Sequence, residues 1–235
     1  EGLRGLTLLE ELDLSALPPG APGARDCAAG GGRAGGPPSA AWAWARRNPL
    51  GSKNRVDLSI LGPGGGLAGD LAPLAALEQL RVLRVEGTEI GGNLSAVASL
   101  PFLEELHVGA NCLGGGLGPL EGLSALREVT IPAKHPWSDL RPCNGSGGLD
   151  GGLGAVSGLG GLEVLDLSYN ALEGDISAVE NLTLLTDLAL NENSIGGNIS
   201  SVHNLSGLKF LGVGAYPRWP PSVLVGSLSE VSHLT

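Results

Sequence analysis

The sequence predicts a mainly β repeat solenoid with little helix, on three observations. The first is self-similarity. Residues 159–179 read LGGLEVLDLSYNALEGDISAV and residues 182–202 read LTLLTDLALNENSIGGNISSV. Leu165, Leu167, Asn170, Leu172, Gly174 and Ile176 thus recur 23 positions on as Leu188, Leu190, Asn193, Ile195, Gly197 and Ile199. A fixed period of this length marks stacked supersecondary units. The second observation is that both halves of the unit recur elsewhere. The apolar pair appears as Leu83/Val85, Leu106/Val108, Val129/Ile131 and Leu211/Val213. Its companion, apolar-x-Gly-x-apolar, appears at Leu67-x-Gly69-x-Leu71, Ile90-x-Gly92-x-Leu94, Leu113-x-Gly115-x-Leu117, Leu149-x-Gly151-x-Leu153 and Leu224-x-Gly226-x-Leu228. The third is composition. Hydrophobic residues are 42%, yet aromatics are 3% and Met is absent, so the core must be small aliphatics stacked in layers. The 40 glycines far exceed the usual share of about 7%, and many fall at the repeat's turn, where positive φ is cheap.

Taken in order, the chain opens with Leu6-Thr-Leu-Leu9-Glu-Glu-Leu12-Asp-Leu14, matching Leu100-Pro-Phe-Leu103-Glu-Glu-Leu106-His-Val108 position for position in spacing. Residues 1–14 therefore read as a partial N-terminal repeat; an amphipathic helix of a capping region is the competing reading. Residues 15–55, with LPPGAPG and GGGRAGGPP, form a Pro/Gly-rich insert or irregular cap that cannot bury enough apolar surface to order itself. Residues 56–235 then hold about seven repeats, interrupted by insertions at 132–148 and 214–223. All three excursions leave directly after a strand, so they should project from one edge. Both termini fall inside a repeat, and the chain reads as an excised piece.

The pattern LxxLxxLxLxxNxLxGxI resembles the leucine-rich repeat, in the version of plant and algal extracellular proteins. The resemblance covers residues 56–235 and, by spacing, 3–14. It implies a curved right-handed coil with a parallel β-sheet on the concave face, one short strand per repeat. The Asn after the strand would bond neighbouring backbone that the turn leaves unpaired. Departures are Thr88 and Tyr216 in place of that Asn, Ser or Ala where Pro usually follows the Gly-x-Ile element, and no Cys pairs at the ends.

Two surfaces are candidates for a partner. Strand alternation turns outward Val82/Arg84, Glu105/His107, Glu128/Thr130, Val164/Asp166, Asp187/Ala189 and Phe210/Gly212. Arg84, Glu105, His107, Glu128, Asp166 and Asp187 would make this face polar, with Glu105 and Glu128 as near neighbours and the aspartates continuing an acidic strip. A strip of one sign steers a basic partner; a solvated face without ligand is the bland alternative. The second surface is the excursions, which carry all four tryptophans (Trp42, Trp44, Trp137, Trp219), with Tyr216 beside Trp219. Trp137, Tyr216 and Trp219 either contact a partner, as interface aromatics do, or fold back over repeat edges.

Other chemistry is sparse. Net charge is −10, with 7 basic against 5 acidic residues in 1–55 and 7 against 19 beyond, which argues against nucleic acid. No apolar run approaches the roughly 18 residues of a membrane span. His107, His135, His203 and His233 fall in different repeats. His135-x3-Asp139-x3-Cys143 lacks the paired spacing of a zinc site, GPGGG at 62–66 fits the repeat's own turn, and no cofactor or catalytic group is indicated. Cys112 and Cys143 lie in the same loop of stacked repeats and are expected to pair, leaving Cys27. Sequons occur at Asn93, Asn144, Asn181, Asn198 and Asn204. All but Asn144 coincide with the repeat consensus, so they mark glycosylation sites or by-products of it. The chain thus reads as a non-catalytic binding module, an extracellular or cell-surface ectodomain or fragment recognising a protein, peptide or glycan. The alternative is a structural subunit embedded in a larger assembly.

Overall fold

The computed structural model describes residues 12–13, 55–57, 68–133, 148–214 and 224–225. One strand per repeat builds an eight-stranded parallel sheet that follows chain order: Leu12–Asp13, Arg55–Asp57, Val82–Arg84, Glu105–His107, Glu128–Thr130, Val164–Asp166, Asp187–Ala189 and Phe210–Gly212. The register aligns Leu83, Leu106, Val129, Leu165, Leu188 and Leu211 across adjacent strands. The first five are 0% exposed and form one spine of the core. Each such burial stabilises by about 1.5–3 kcal/mol, and strands of the adjacent repeats flank each of these residues.

The return path is a series of tight turns. Leu74, Leu77, Leu80 and Leu83 step inward every third residue, which suits three residues per turn rather than 3.6. Accordingly the N–H of Leu77 donates to the carbonyl of Leu74 and that of Leu80 to Leu77, at 2.9 and 2.8 Å. The 3-10 segments run only three to six residues, from Gly118–Leu120 to Leu94–Ser99.

Between strand and turn, the apolar-x-Gly-x-apolar element makes further short strands, which periodicity alone did not reveal. Ala68–Gly69, Glu89–Gly92 and Cys112–Leu113 form one parallel sheet; Asp150–Gly152, Ala171–Asp175, Ser194–Asn198 and Leu224–Val225 form another. The repeated glycine bends the backbone in or just after five of them. Gly92, Gly115, Gly151, Gly174 and Gly197 all have φ between 80° and 111°, a region costly for other residues.

The position after that glycine caps the next turn. Asp70, Asn93, Asp175 and Asn198 each accept a hydrogen bond from the backbone N–H two residues on, at 2.8–3.0 Å. At Asp175 the Ser177 N–H, then the Ser177 hydroxyl, hold the carboxyl below its ordinary value of 3.8. A depressed folded-state pKa adds stability above the ordinary value, and that increment is lost as pH falls through the depressed one. Asp175→Asn retains an acceptor but cannot titrate. The difference in melting temperature between parent and variant should therefore shrink as pH is lowered below 3.8; a difference independent of pH would refute the charged cap.

Asparagines close the strand end. Asn111, Asn170 and Asn193 are 4%, 3% and 3% exposed. Asn111 donates to the carbonyls of Val85 (2.5 Å) and Val108 (2.9 Å), and its Oδ1 accepts from the N–H (3.0 Å) and hydroxyl (2.6 Å) of Thr88. Thr88, 1% exposed, fills the ladder position in its own repeat. Gly87, Ala110, Tyr169 and Glu192, directly before these four residues, have φ of 52–65° and turn the backbone so that the ladder side chain points inward.

Candidate functional site on the concave sheet

The concave face presents two rows of side chains, from the first and third residue of each strand. Strands about 4.8 Å apart place Val82, Glu105, Glu128, Val164, Asp187 and Phe210 in one row, and Arg84, His107, Thr130, Asp166, Ala189 and Gly212 in the other.

Glu105 and Glu128 are direct cross-strand neighbours, but the acidic strip is neither single nor uniform. Arg84 donates to Glu105 at 2.5 Å, and His107 Nε2 lies 3.2 Å from Glu128. The N-terminal carboxylates of the face are thus paired with basic side chains. Asp166 stands in the other row, opposite Thr130, while Asp187 stands opposite Val164. Asp166 accepts from the N–H (3.0 Å) and hydroxyl (2.5 Å) of Ser168, and Asp187 from the Thr186 hydroxyl at 2.6 Å. Neutral donors orient these two carboxylates without cancelling their charge.

Outward orientation did not guarantee exposure. Ala189 and Gly212, expected to face solvent, are buried. Ala189 is too small to emerge from between its neighbours, and the Asn191 amide would stand 2.5 Å from a Cβ on Gly212. Phe210, by contrast, is 50% exposed, an apolar ring facing outward beside Asp187. Just before the strands, Arg81 pairs with Glu104, and Arg127 with Glu163 at 2.9 Å. These pairs are half-exposed, and such pairs are worth about 0–1 kcal/mol.

Among the described residues, Glu105, His107 and Glu128 are the group that could hold a metal, with one ligand atom each within 4.8 Å of the others. The Arg84 guanidinium already supplies positive charge at Glu105, which disfavours a cation there. Among the described residues, no helix is long and apolar enough to cross a membrane.

Cys112 is disulfide-bonded; Cys27 and Cys143 both lie outside the described residues. So do Trp42, Trp44, Trp137, Tyr216, Trp219 and the sequon at Asn144. Asn93, Asn181, Asn198 and Asn204 are exposed. The exits of both insertions are visible. The Pro132 carbonyl accepts from Ala110 N–H at 2.7 Å, and the Gly214 carbonyl from Glu192 N–H at 2.8 Å. The two exits therefore share one repeat position and one edge of the coil.

This arrangement is a leucine-rich-repeat solenoid. No protein-family model matches the sequence, and no curated protein matches it. Solved structures do. The chain is similar to the leucine-rich-repeat ectodomain of the plant membrane receptor kinase GASSHO1/SCHENGEN3 from Arabidopsis thaliana, solved in complex with CASPARIAN STRIP INTEGRITY FACTOR 2. Identity is 23%, over 69% of this chain and 17% of that one, with a TM-score of 0.53. The ectodomain of the Arabidopsis receptor kinase HAESA, in complex with an N-terminally extended IDA peptide hormone, is 24% identical over 77% of this chain and 28% of that one, TM-score 0.58. A Pollen Receptor Kinase 3 is 22% identical over 71% and 74%, TM-score 0.55. The chain spans less than a third of the length of the first two. At these identities the likeness establishes the fold.

Proposed function

We propose that the chain is a non-catalytic recognition module of the cell exterior that binds a peptide or protein segment along its concave sheet. The observation that carries this reading is the sheet face itself. It is a regular parallel array along which Arg84, Glu105, His107, Glu128, Asp166 and Asp187 stand partly exposed. The ectodomains of GASSHO1/SCHENGEN3 and HAESA, which share the fold, were solved with a peptide factor and a peptide hormone. Exposed sequons at Asn93, Asn181, Asn198 and Asn204 suit a secreted chain, and Trp137, Tyr216 and Trp219 would add contacts from the edge at which the insertions leave.

The test is a phage-displayed random dodecapeptide library selected on the intact chain. Enriched clones are then measured on Thr130→Trp, which fills the middle of the face. Expected are clones whose binding weakens by about tenfold or more on that variant, a change of about 1.4 kcal/mol. Clones indifferent to it, or no enrichment over bare support, would refute concave recognition.

A further inference from the structure

Resting on the recognition reading above, we infer that the C-terminal half of the concave sheet is a seat for a cationic side chain of an extended peptide. Asp166, Asp187 and Phe210 form it, over a floor of Ala189 and Gly212.

Charge complementarity selects the occupant. Toward the N-terminal side, Glu105 is matched by the Arg84 cation, and Glu128 has the His107 imidazole at 3.2 Å. Among the described residues, Asp166 and Asp187 have no basic partner, and they belong to a chain of net charge −10. One strand over and two residues along, their Cα atoms are about 8 Å apart by strand geometry. An ammonium or guanidinium lying between them would reach both, and charge-assisted hydrogen bonds to carboxylates are the strong ones.

Shape supports the same occupant. Phe210 lies directly across from Asp187 in the neighbouring strand and is 50% exposed. A cation over a ring face within about 6 Å is attracted by its quadrupole, and an Arg or Lys stem covers apolar surface while its head stays with the carboxylates. Beside this row, Ala189 and Gly212 are buried, so the face is low there, with Asn191 rimming Gly212. An extended backbone can lie over that low strip, parallel to the coil axis, and direct one side chain onto Asp187. A hard metal ion fits less well, since it asks for six or more oxygens and two carboxylates in different rows do not supply them.

Labelled decapeptide pools with the central residue fixed as Arg, Lys, norleucine or Glu are titrated against the intact chain. The Arg and Lys pools should bind about tenfold tighter than the norleucine pool. Asp166→Asn/Asp187→Asn should abolish that preference, Asp187→Asn alone should reduce it, and Phe210→Leu should weaken Arg and Lys binding by a few fold. Glu121→Gln/Glu180→Gln, which removes two charges from exposed sites away from the sheet, should leave the preference intact. Equal loss in that control would overturn the seat in favour of diffuse attraction to an acidic chain. Norleucine or Glu pools that bind as well as Arg, and are excluded by Thr130→Trp, would overturn the seat while leaving concave recognition standing. No binding by any pool would overturn both.

Discussion

Asn170→Ala should lower stability by roughly 2–5 kcal/mol. Its Nδ2 donates to the carbonyls of Ile131 and Leu167, both at 2.8 Å, with a longer contact to Ser168 at 3.2 Å, and its Oδ1 accepts from Leu149 N–H at 2.7 Å. The side chain is buried, and its partners lie in its own repeat and the one before it. Removing the amide leaves the Ile131 carbonyl and the Leu149 N–H without partners, each costing about 1–3 kcal/mol, while the Leu167 carbonyl keeps Asn193 Nδ2 at 2.9 Å. The Leu149 bond also anchors the chain where it re-enters the coil after the insertion. Asn170→Asp should be no better, since it keeps the acceptor but loses the donors and buries a charge. Urea unfolding reads the effect as a lower midpoint at constant slope. A loss under about 1 kcal/mol would mean that water replaces the ladder bonds.

Leu165→Ala should cost about 3–5 kcal/mol, from lost burial plus a cavity that stacked strands cannot close. Leu165 is 0% exposed between Val129 and Leu188, themselves 0% exposed. Because each repeat contacts only its neighbours, damage should stay local before it becomes global. Hydrogen exchange should accelerate first in the strands of Val129, Leu165 and Leu188, with the strand of Leu83 least affected. Uniform loss of protection along the chain would instead mean a single cooperative unit and would refute the nearest-neighbour picture.

Much of this was legible in advance because a solenoid writes its core as a period. Leu165 and Leu188 were inward by alternation, the consensus glycines by their conformational freedom, and Asn170 by its place after the strand. Cys112 is disulfide-bonded, and Cys143, its expected partner, lies outside the described residues. What periodicity could not show was pairing between unlike residues. Nothing local announces that Arg84 quenches Glu105, or that Asn170 reaches Ile131, 39 residues back across an insertion.

The sequence by itself determined the repeat, its phase, the buried spine and the edge from which the insertions leave. Each follows from rules that act within one unit: alternation along a strand, three-residue turns, and glycine where φ must be positive. Only the tertiary structure decided what the concave face is. Which carboxylates have a basic neighbour, where Phe210 emerges and where Ala189 and Gly212 sink depend on side chains brought together from neighbouring repeats. Stacking, not the period, sets those encounters.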